Sequence, residues 1–273
     1  MKAVDKAFIG SIPELYNSQM VPLIFECYAA DLAARLSSRP LSRLLEIAAG
    51  TGALTRALAS TLASNVSITA TDLNRAMLDH AAATGTKRPV EWRVADVMSL
   101  PFEDAAFDAV VCQFGAMFFP DKPAAFAEAR RVLKSGGVFV FSVWDRIEEN
   151  EFANVVTTAL ESLFPDDPPR FLARTPHGYF DSQVIEDDLR RAGFDAAPQI
   201  ITIAQRSRAS SARIPAFAYC QGTPLKAEIE RQDAANPALL NEATDVAERA
   251  IAERFGRGVV NGKIQAHLVS VEG

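Results

Sequence analysis

Only three cysteines, Cys27, Cys112 and Cys220, occur in 273 residues, and their odd number and wide spacing exclude a disulfide framework and a metal knuckle. They read as thiols of a reducing compartment, Cys27 and Cys112 as small buried hydrophobes. Cys220, in AYCQGTPL, has no histidine near it in sequence and offers little for nucleophilic catalysis. Histidine is equally scarce, at three residues, and no metal-ligand spacing, internal repeat or low-complexity tract is present, so a metal site is not expected. No apolar run reaches the roughly 20 residues of a membrane span. The N-terminus lacks the charged start and apolar stretch of a secretory signal. Basic residues are in deficit: 28 Lys and Arg against 34 Asp and Glu give a net charge of -6, which argues against attraction to nucleic acid or an anionic membrane. These absences leave a cytoplasmic protein with a small-molecule substrate, a monomer or a homodimer.

What is present is a core-forming composition, 49% hydrophobic, enough for one enlarged domain. In LLEIAAGTGALTRAL, residues 44–58, a short apolar strand breaks into a small-residue turn and continues as an amphipathic helix. Gly50 and Gly52 allow a tight turn and close approach of a ligand, and amides at the helix start can meet its polar atoms. A second strand, VSITATD, ends in Asp72, an acid placed to accept hydrogen bonds from both hydroxyls of a ribose. Two nucleotide cofactors fit. Ala48, Gly50 and Ala53 imitate the G-x-G-x-x-G of nicotinamide-dependent oxidoreductases only with two alanines.

The alternative spacing, Glu46 followed by small residues at 48, 50 and 52, resembles the E-x-G-x-G-x-G signature of S-adenosylmethionine-dependent methyltransferases of the Rossmann-like superfamily. Ala48 stands where that signature has its first glycine, a mild departure provided Ala48 keeps a negative φ. LNRAML, VEWRVADVMSLPF, FDAVVCQFGAMFF and RRVLKSGGVFVFSVW look like the later motifs, so the resemblance runs from residue 44 to about 144 and points to the ubiquinone/menaquinone C-methyltransferase-like group. It implies an α/β fold, a doubly wound, mostly parallel, seven-stranded sheet, with S-adenosyl-L-methionine as cofactor. The implied cofactor residues are Glu46, Ala48, Ala49, Gly50, Thr51, Gly52, Asp72, Leu73, Met77, Asp96, Val97, Met98, Gln113 and Phe114. Among these, Asp96 and the Val97 amide would meet the adenine edge, with Leu73 and Met98 against its face. Direct methyl transfer to a small molecule is the implied chemistry. A nicotinamide-dependent oxidoreductase and a non-catalytic binder of S-adenosylmethionine stay open as alternatives.

The flanking sequence suggests what covers such a site. Residues 1–40 read as an N-terminal segment over the cofactor: IPELYN is a turn-like entry, and Phe25, Tyr28, Leu32 and Leu36 share one face of a helix over 21–36. Tyr16 is either an aromatic hydroxyl for the site or a packed surface ring. The core is expected over 41–208 and 262–273, with a helix over 152–164, a helix begun by Asp181 or Ser182 and closed by Gly193, a strand in APQIITIAQ and a last antiparallel strand in KIQAHLVSVEG. Residues 209–261, with the proline-broken loop 165–180, form a helical insertion before that strand, read as a substrate cap or as a subunit interface. His177, in TPHGYF, is the candidate base, set against a solvated or turn-forming histidine. Arg206, Arg208 and Arg213 make a basic cluster, read as solvated or as a grip on an anionic substrate group.

Overall fold

The structure is a computed structural model that describes residues 12–273. Seven strands form one sheet: β1 (Arg43–Glu46), β2 (Ser67–Asp72), β3 (Glu91–Val94), β4 (Phe107–Gln113), β5 (Leu133–Trp144), β6 (Gln199–Ala209) and β7 (Val260–Glu272). Their order is β3-β2-β1-β4-β5-β7-β6. The pairs β1–β2, β1–β4, β2–β3 and β4–β5 are parallel. β7 runs against β5, since the Gly273 amide donates to Gly137 O while the Asp145 amide donates to Gln265 O. The order reverses at β1, which has β2 on one side and β4 on the other. In an open parallel sheet that reversal leaves a crevice beyond the strands' carboxyl ends.

The helices are α1 (Ile12–Leu15), which runs on as a π-helix over Tyr16–Phe25, then α2 (Glu26–Ser37), α3 (Ala53–Thr61), α4 (Arg75–Thr84), α5 (Lys122–Val132), α6 (Glu151–Leu163), α7 (Phe171–Arg174), α8 (Ser182–Arg191), α9 (Arg213–Gln221), α10 (Leu225–Gln232) and α11 (Leu239–Phe255). IPELYN is therefore helical rather than turn-like. Pro22, which has no amide to donate, lies inside the π-helical stretch. Residues 1–11 of the expected N-terminal segment lie outside the described residues. Several helix starts carry the caps their sequence advertises. Asn74 accepts from the Ala76 amide, Asp121 from Ala124 and Asp181 from Gln183. After α8, Gly193 turns the chain with φ +88°, as the expected stop requires.

The chain divides into two compact units. The sheet unit comprises Glu26–Val143, Tyr179–Ile203 and Ala266–Gly273; the helical unit comprises the described residues up to Phe25, Trp144–Gly178 and Ala204–Gln265. In the sheet unit, Leu32 and Leu36 of α2 and Leu54 and Leu58 of α3 form one core with Leu44, Ile68 and Val111 of the central strands. The middles of these strands are buried because a parallel sheet between helix layers is covered on both faces. Phe126 of α5 lies 5.5 Å from the Phe139 ring and 5.0 Å from the Phe141 ring of β5.

The helical unit gathers more of the chain than the insertion alone, taking α6, α7 and the segment around Tyr16 as well as α9, α10 and α11. AYCQGTPL is a corner, the turn between α9 and α10. A buried carboxylate fastens α7. Glu228 of α10 is 2% exposed, its Oε2 accepts the amides of Arg170 (2.8 Å) and Phe171 (2.9 Å), and its Oε1 accepts from the Arg174 guanidinium at 2.9 Å. Removing such a carboxylate takes away the shared acceptor of a guanidinium and two amides. Glu228→Ala is expected to lower the unfolding free energy by about 3–5 kcal/mol, and Glu228→Gln by less because its amide oxygen still accepts. Urea midpoints of the three proteins measure the difference.

Candidate active site

The turn after β1 is pinned from several directions. The Ile47 amide donates to Val111 O, Ala49 to Thr71 O and Gly52 to Ala49 O, each at 2.9 Å. The Gly50 amide donates to Asp72 Oδ2 at 2.8 Å, and the Asn74 amide donates to Asp72 Oδ1 at 2.8 Å. One carboxylate thus joins the β1 turn to the β2 tip and the start of α4. Several amides of the turn are thus engaged within the protein, and the acid itself holds one. With about four acceptor sites on the carboxylate, capacity remains beyond these amides. Burial pushes the Asp72 carboxyl up, and the amides of Asn74, Gly50 and Leu73 work against that shift.

The two glycines do different work. A Cβ at Gly50, where φ is +57°, would meet nothing within 4 Å, so the backbone there borders open space. A Cβ at Gly52 would lie 3.1 Å from both Ala81 Cβ and the Trp92 ring, so this glycine serves the packing of α3. Between them, Thr51 is buried and its Oγ1 has no hydrogen-bond partner among the described residues. Leu73, next to Asp72, is 55% exposed, one of three exposed large apolar side chains among the described residues. Asp96 is exposed beyond β3, its Oδ1 accepting the Met98 amide at 2.9 Å, with Val97 and Met98 half-buried. Met77 points into the core from α4.

Ala48 overturns one expectation. Its φ is +53°, in the left-handed region that costs a residue with a Cβ roughly 1–2 kcal/mol. Phe114, just past β4 and its half-buried last residue Gln113, shares this strain with φ +54°. The Phe114 amide is fixed by Ser142 O at 3.1 Å, and its ring meets Tyr28 edge-on at 5.4 Å. Gly115 makes room for the alanine. A Cβ at 115 would fall 2.6 Å from Ala48 Cβ and 2.8 Å from Cys112 Sγ. The missing glycine at 48 is matched by a glycine across the crevice, a compensation that only a view of both turns could reveal.

Glu46, at the end of β1, is 1% exposed. Its Oε2 accepts the Thr55 hydroxyl at 2.6 Å, which links strand to helix. Burial pushes the Glu46 carboxyl up to about 8, with the Asp72 charge adding to the rise and Thr55 and Arg56 opposing it.

Tyr16 and His177 belong to the helical unit, whereas all fourteen cofactor candidates belong to the sheet unit. Within the helical unit a run of rings leads from Tyr16 to His177: Tyr16 stacks on Phe25 at 5.2 Å, Phe25 lies 5.9 Å from Trp144, and Trp144 lies 6.0 Å from His177. His177 is not a solvated loop residue; it is 5% exposed. Its Nδ1 lies 2.8 Å from Asp145 O, a carbonyl that can only accept, so Nδ1 carries the hydrogen and Nε2 the lone pair. Burial pushes the imidazole down to about 4, which leaves it neutral and weakly basic near pH 7. Two of the three clustered arginines are tied up within the unit, while Arg208 is exposed. Arg206 donates to the Asn261 side chain and carbonyl, and Arg213 to Asp245 and Glu248.

Two outcomes follow from this geometry. Gly115→Ala is expected to destabilise the protein, and adding Ala48→Gly to recover part of the loss, with a coupling of about 0.5–3 kcal/mol in a double-mutant cycle read by urea unfolding. Glu46 predicts a pH dependence. Its folded-state value lies above the unfolded one, so the folded chain keeps a proton that the unfolded chain releases. Stability should fall as pH rises from about 4.5 and level off above about 8. Glu46→Gln should remove that part of the slope, measured as unfolding free energy from pH 5 to pH 9.

Comparison with known proteins agrees with this architecture. A family described as a methyltransferase domain matches residues 45–141. Ubiquinone/menaquinone biosynthesis C-methyltransferase UbiE from Burkholderia mallei and from Burkholderia thailandensis are each 32% identical over 200 residues, 69% of this chain and 82% of theirs. In fold, the chain is similar to the YcgJ protein of Bacillus subtilis, with a TM-score of 0.56 and 18% identity over 90% of this chain and 100% of that one. It is also similar to a phosphoethanolamine N-methyltransferase 2 of Haemonchus contortus, with a TM-score of 0.59 and 16% identity over 98% of this chain and 59% of that one. Among the described residues no helix is long and apolar enough to cross a membrane, and no cluster of His, Cys, Asp and Glu could hold a metal ion. With the β1 turn, the acid at the β2 tip and these relatives together, the chain belongs to the S-adenosylmethionine-dependent methyltransferases of the Rossmann-like superfamily, in the ubiquinone/menaquinone C-methyltransferase-like group.

Proposed function

We propose that this methyltransferase methylates a small organic molecule and holds S-adenosylmethionine beyond the carboxyl ends of β1, β2 and β3. The observation that carries the reading is the Asp72 carboxylate, fixed on the Gly50 and Asn74 amides with lone pairs to spare for the hydroxyls of a ribose. Three neighbours fit the same ligand: open space over Gly50, a buried Thr51 hydroxyl without a partner, and the exposed Leu73 side chain. Leu73 and Met98 would take the two sides of the adenine, with Asp96 and the Val97 amide at its edge. Glu46 and the turn from Ala48 to Gly52 would take the methionine end, near Gln113 and Phe114. Met77, as part of the core, would support the pocket from behind.

S-adenosylmethionine supplies, when bound, a methyl group on a positively charged sulfur. The protein's part is to bind, orient and exclude water, and positioning alone lowers barriers by on the order of 7 to 11 kcal/mol in the best intramolecular models. Strained backbone at Ala48 and Phe114, held by Gly115 and Ser142, supports a turn built for position rather than for proton transfer. His177, neutral and anchored on Asp145 O, is better suited to accept a hydrogen bond at Nε2 than to act as a strong base.

A small acceptor is favoured by the net charge of -6 and by the internal pairing of Arg206 and Arg213, which leaves neither as a free grip on a polyanion. The activity of the Burkholderia relatives makes a carbon acceptor the first to assay. Family membership leaves the nicotinamide alternative without support.

Calorimetry with S-adenosylhomocysteine tests the reading. Asp72→Ala should raise the dissociation constant about 10- to 150-fold, the equivalent of the 1.5–3 kcal/mol typical of hydrogen bonds to a charged group. An affinity equal to that of the wild type would refute the ribose assignment.

A further inference from the structure

Glu46 is a buried acid with one guanidinium, that of Arg56, within electrostatic reach. It takes part in no salt bridge among the described residues, and its carboxylate is met by one neutral hydroxyl, that of Thr55. Charged and titratable groups face it from three elements. From α3 comes the half-buried Arg56, which spends Nη1 on Thr51 O at 2.7 Å and is drawn also to Glu26. From β2 comes Asp72, a second acid whose two oxygens are held by backbone amides. From β4 comes Cys112, fully buried, its thiol pushed up to about 12 and so uncharged near neutrality. Two carboxyls thus lie within electrostatic reach of each other, with one partly engaged guanidinium near Glu46. Ionising both without a further cation is unfavourable at this burial.

We propose that Glu46 is a protonated carboxylic acid in the free enzyme and gives up that proton to solvent when a cationic group of the ligand enters the crevice, so that cofactor binding releases a proton. This rests on the assignment of the β1 and β2 tips as the cofactor site. The balance is simple: the O–H bond of Glu46 breaks, the proton goes to buffer, and the carboxylate left behind pairs with the incoming positive charge. S-adenosylmethionine offers two such charges, an ammonium and a sulfonium, whereas S-adenosylhomocysteine offers the ammonium alone. The upward displacement of the Glu46 carboxyl to about 8 sets the range in which release is seen, from pH 5.5 to 7.5.

The test is calorimetric titration of the full chain with each compound at pH 7, in buffers of different ionisation enthalpy. Roughly one proton released per ligand is expected, with the dissociation constant tightening up to about tenfold per pH unit between 5.5 and 7.5. Release with both compounds assigns the ammonium as the trigger; release with S-adenosylmethionine alone assigns the sulfonium. Glu46→Gln should bind without releasing a proton and with an affinity flat across that range. Tight binding of both compounds by the wild type with no proton released overturns the proposal and leaves the cofactor site standing. Release that persists in Glu46→Gln also overturns it, because the proton then comes from another group. Failure of either compound to bind the wild type is a different result, which removes the site itself.

Discussion

One carboxylate holds the centre of this molecule's chemistry in place. Asp72 ends β2, yet its two oxygens reach an amide in the turn after β1 and an amide at the start of α4. Strand tips in a parallel sheet are otherwise tied only through their ladders, and the turns beyond them have to be fastened by something else. Here the fastener is also the group proposed to receive the ligand. The same residue therefore shapes the turn and presents lone pairs to what lies over it. Gly50 can border open space because its amide is already held.

That arrangement explains how the rest of the sheet unit distributes its strain. Ala48 and Phe114 occupy left-handed backbone on the two turns flanking the crevice, and neither is a residue that adopts it freely. Gly115 accommodates the methyl of Ala48, and the Phe114 amide is held at Ser142. Strain of this kind persists where the surrounding hydrogen bonds and packing over-determine the backbone, as at both of these turns. The helical unit spends its polar groups differently. Glu228, Arg206, Arg213 and Asn150 are all turned to joining its own segments, Asn150 by contacts with Asp145, Arg146 and Gln265.

Local signals in the chain carried much of this. The apolar run of β1, the Gly-containing turn and the acid ending VSITATD located the crevice, because a strand, a turn and a helix each leave a short-range pattern. α8 was legible at both ends, from its Asp181 cap to the left-handed Gly193. Long-range compensation was not legible. Nothing near Ala48 announces that Gly115, 67 positions on (115 minus 48), leaves room for its methyl. Nor does TPHGYF announce that His177 is buried against Trp144 and Asp145, since the partner atoms come from the end of β5. The helical start at IPELYN escaped for a related reason: four residues of α1 carry too little periodicity to outweigh a proline.

The path of the chain between its two units has a consequence of its own. It crosses from one to the other at 25/26, 143/144, 178/179, 203/204 and 265/266. Neither unit is a continuous stretch, so no single cut frees one of them intact, and no simple gene fusion could transplant the helical part onto another sheet. Diversification of such a protein has to proceed by point changes and loop growth within a shared, interwoven backbone.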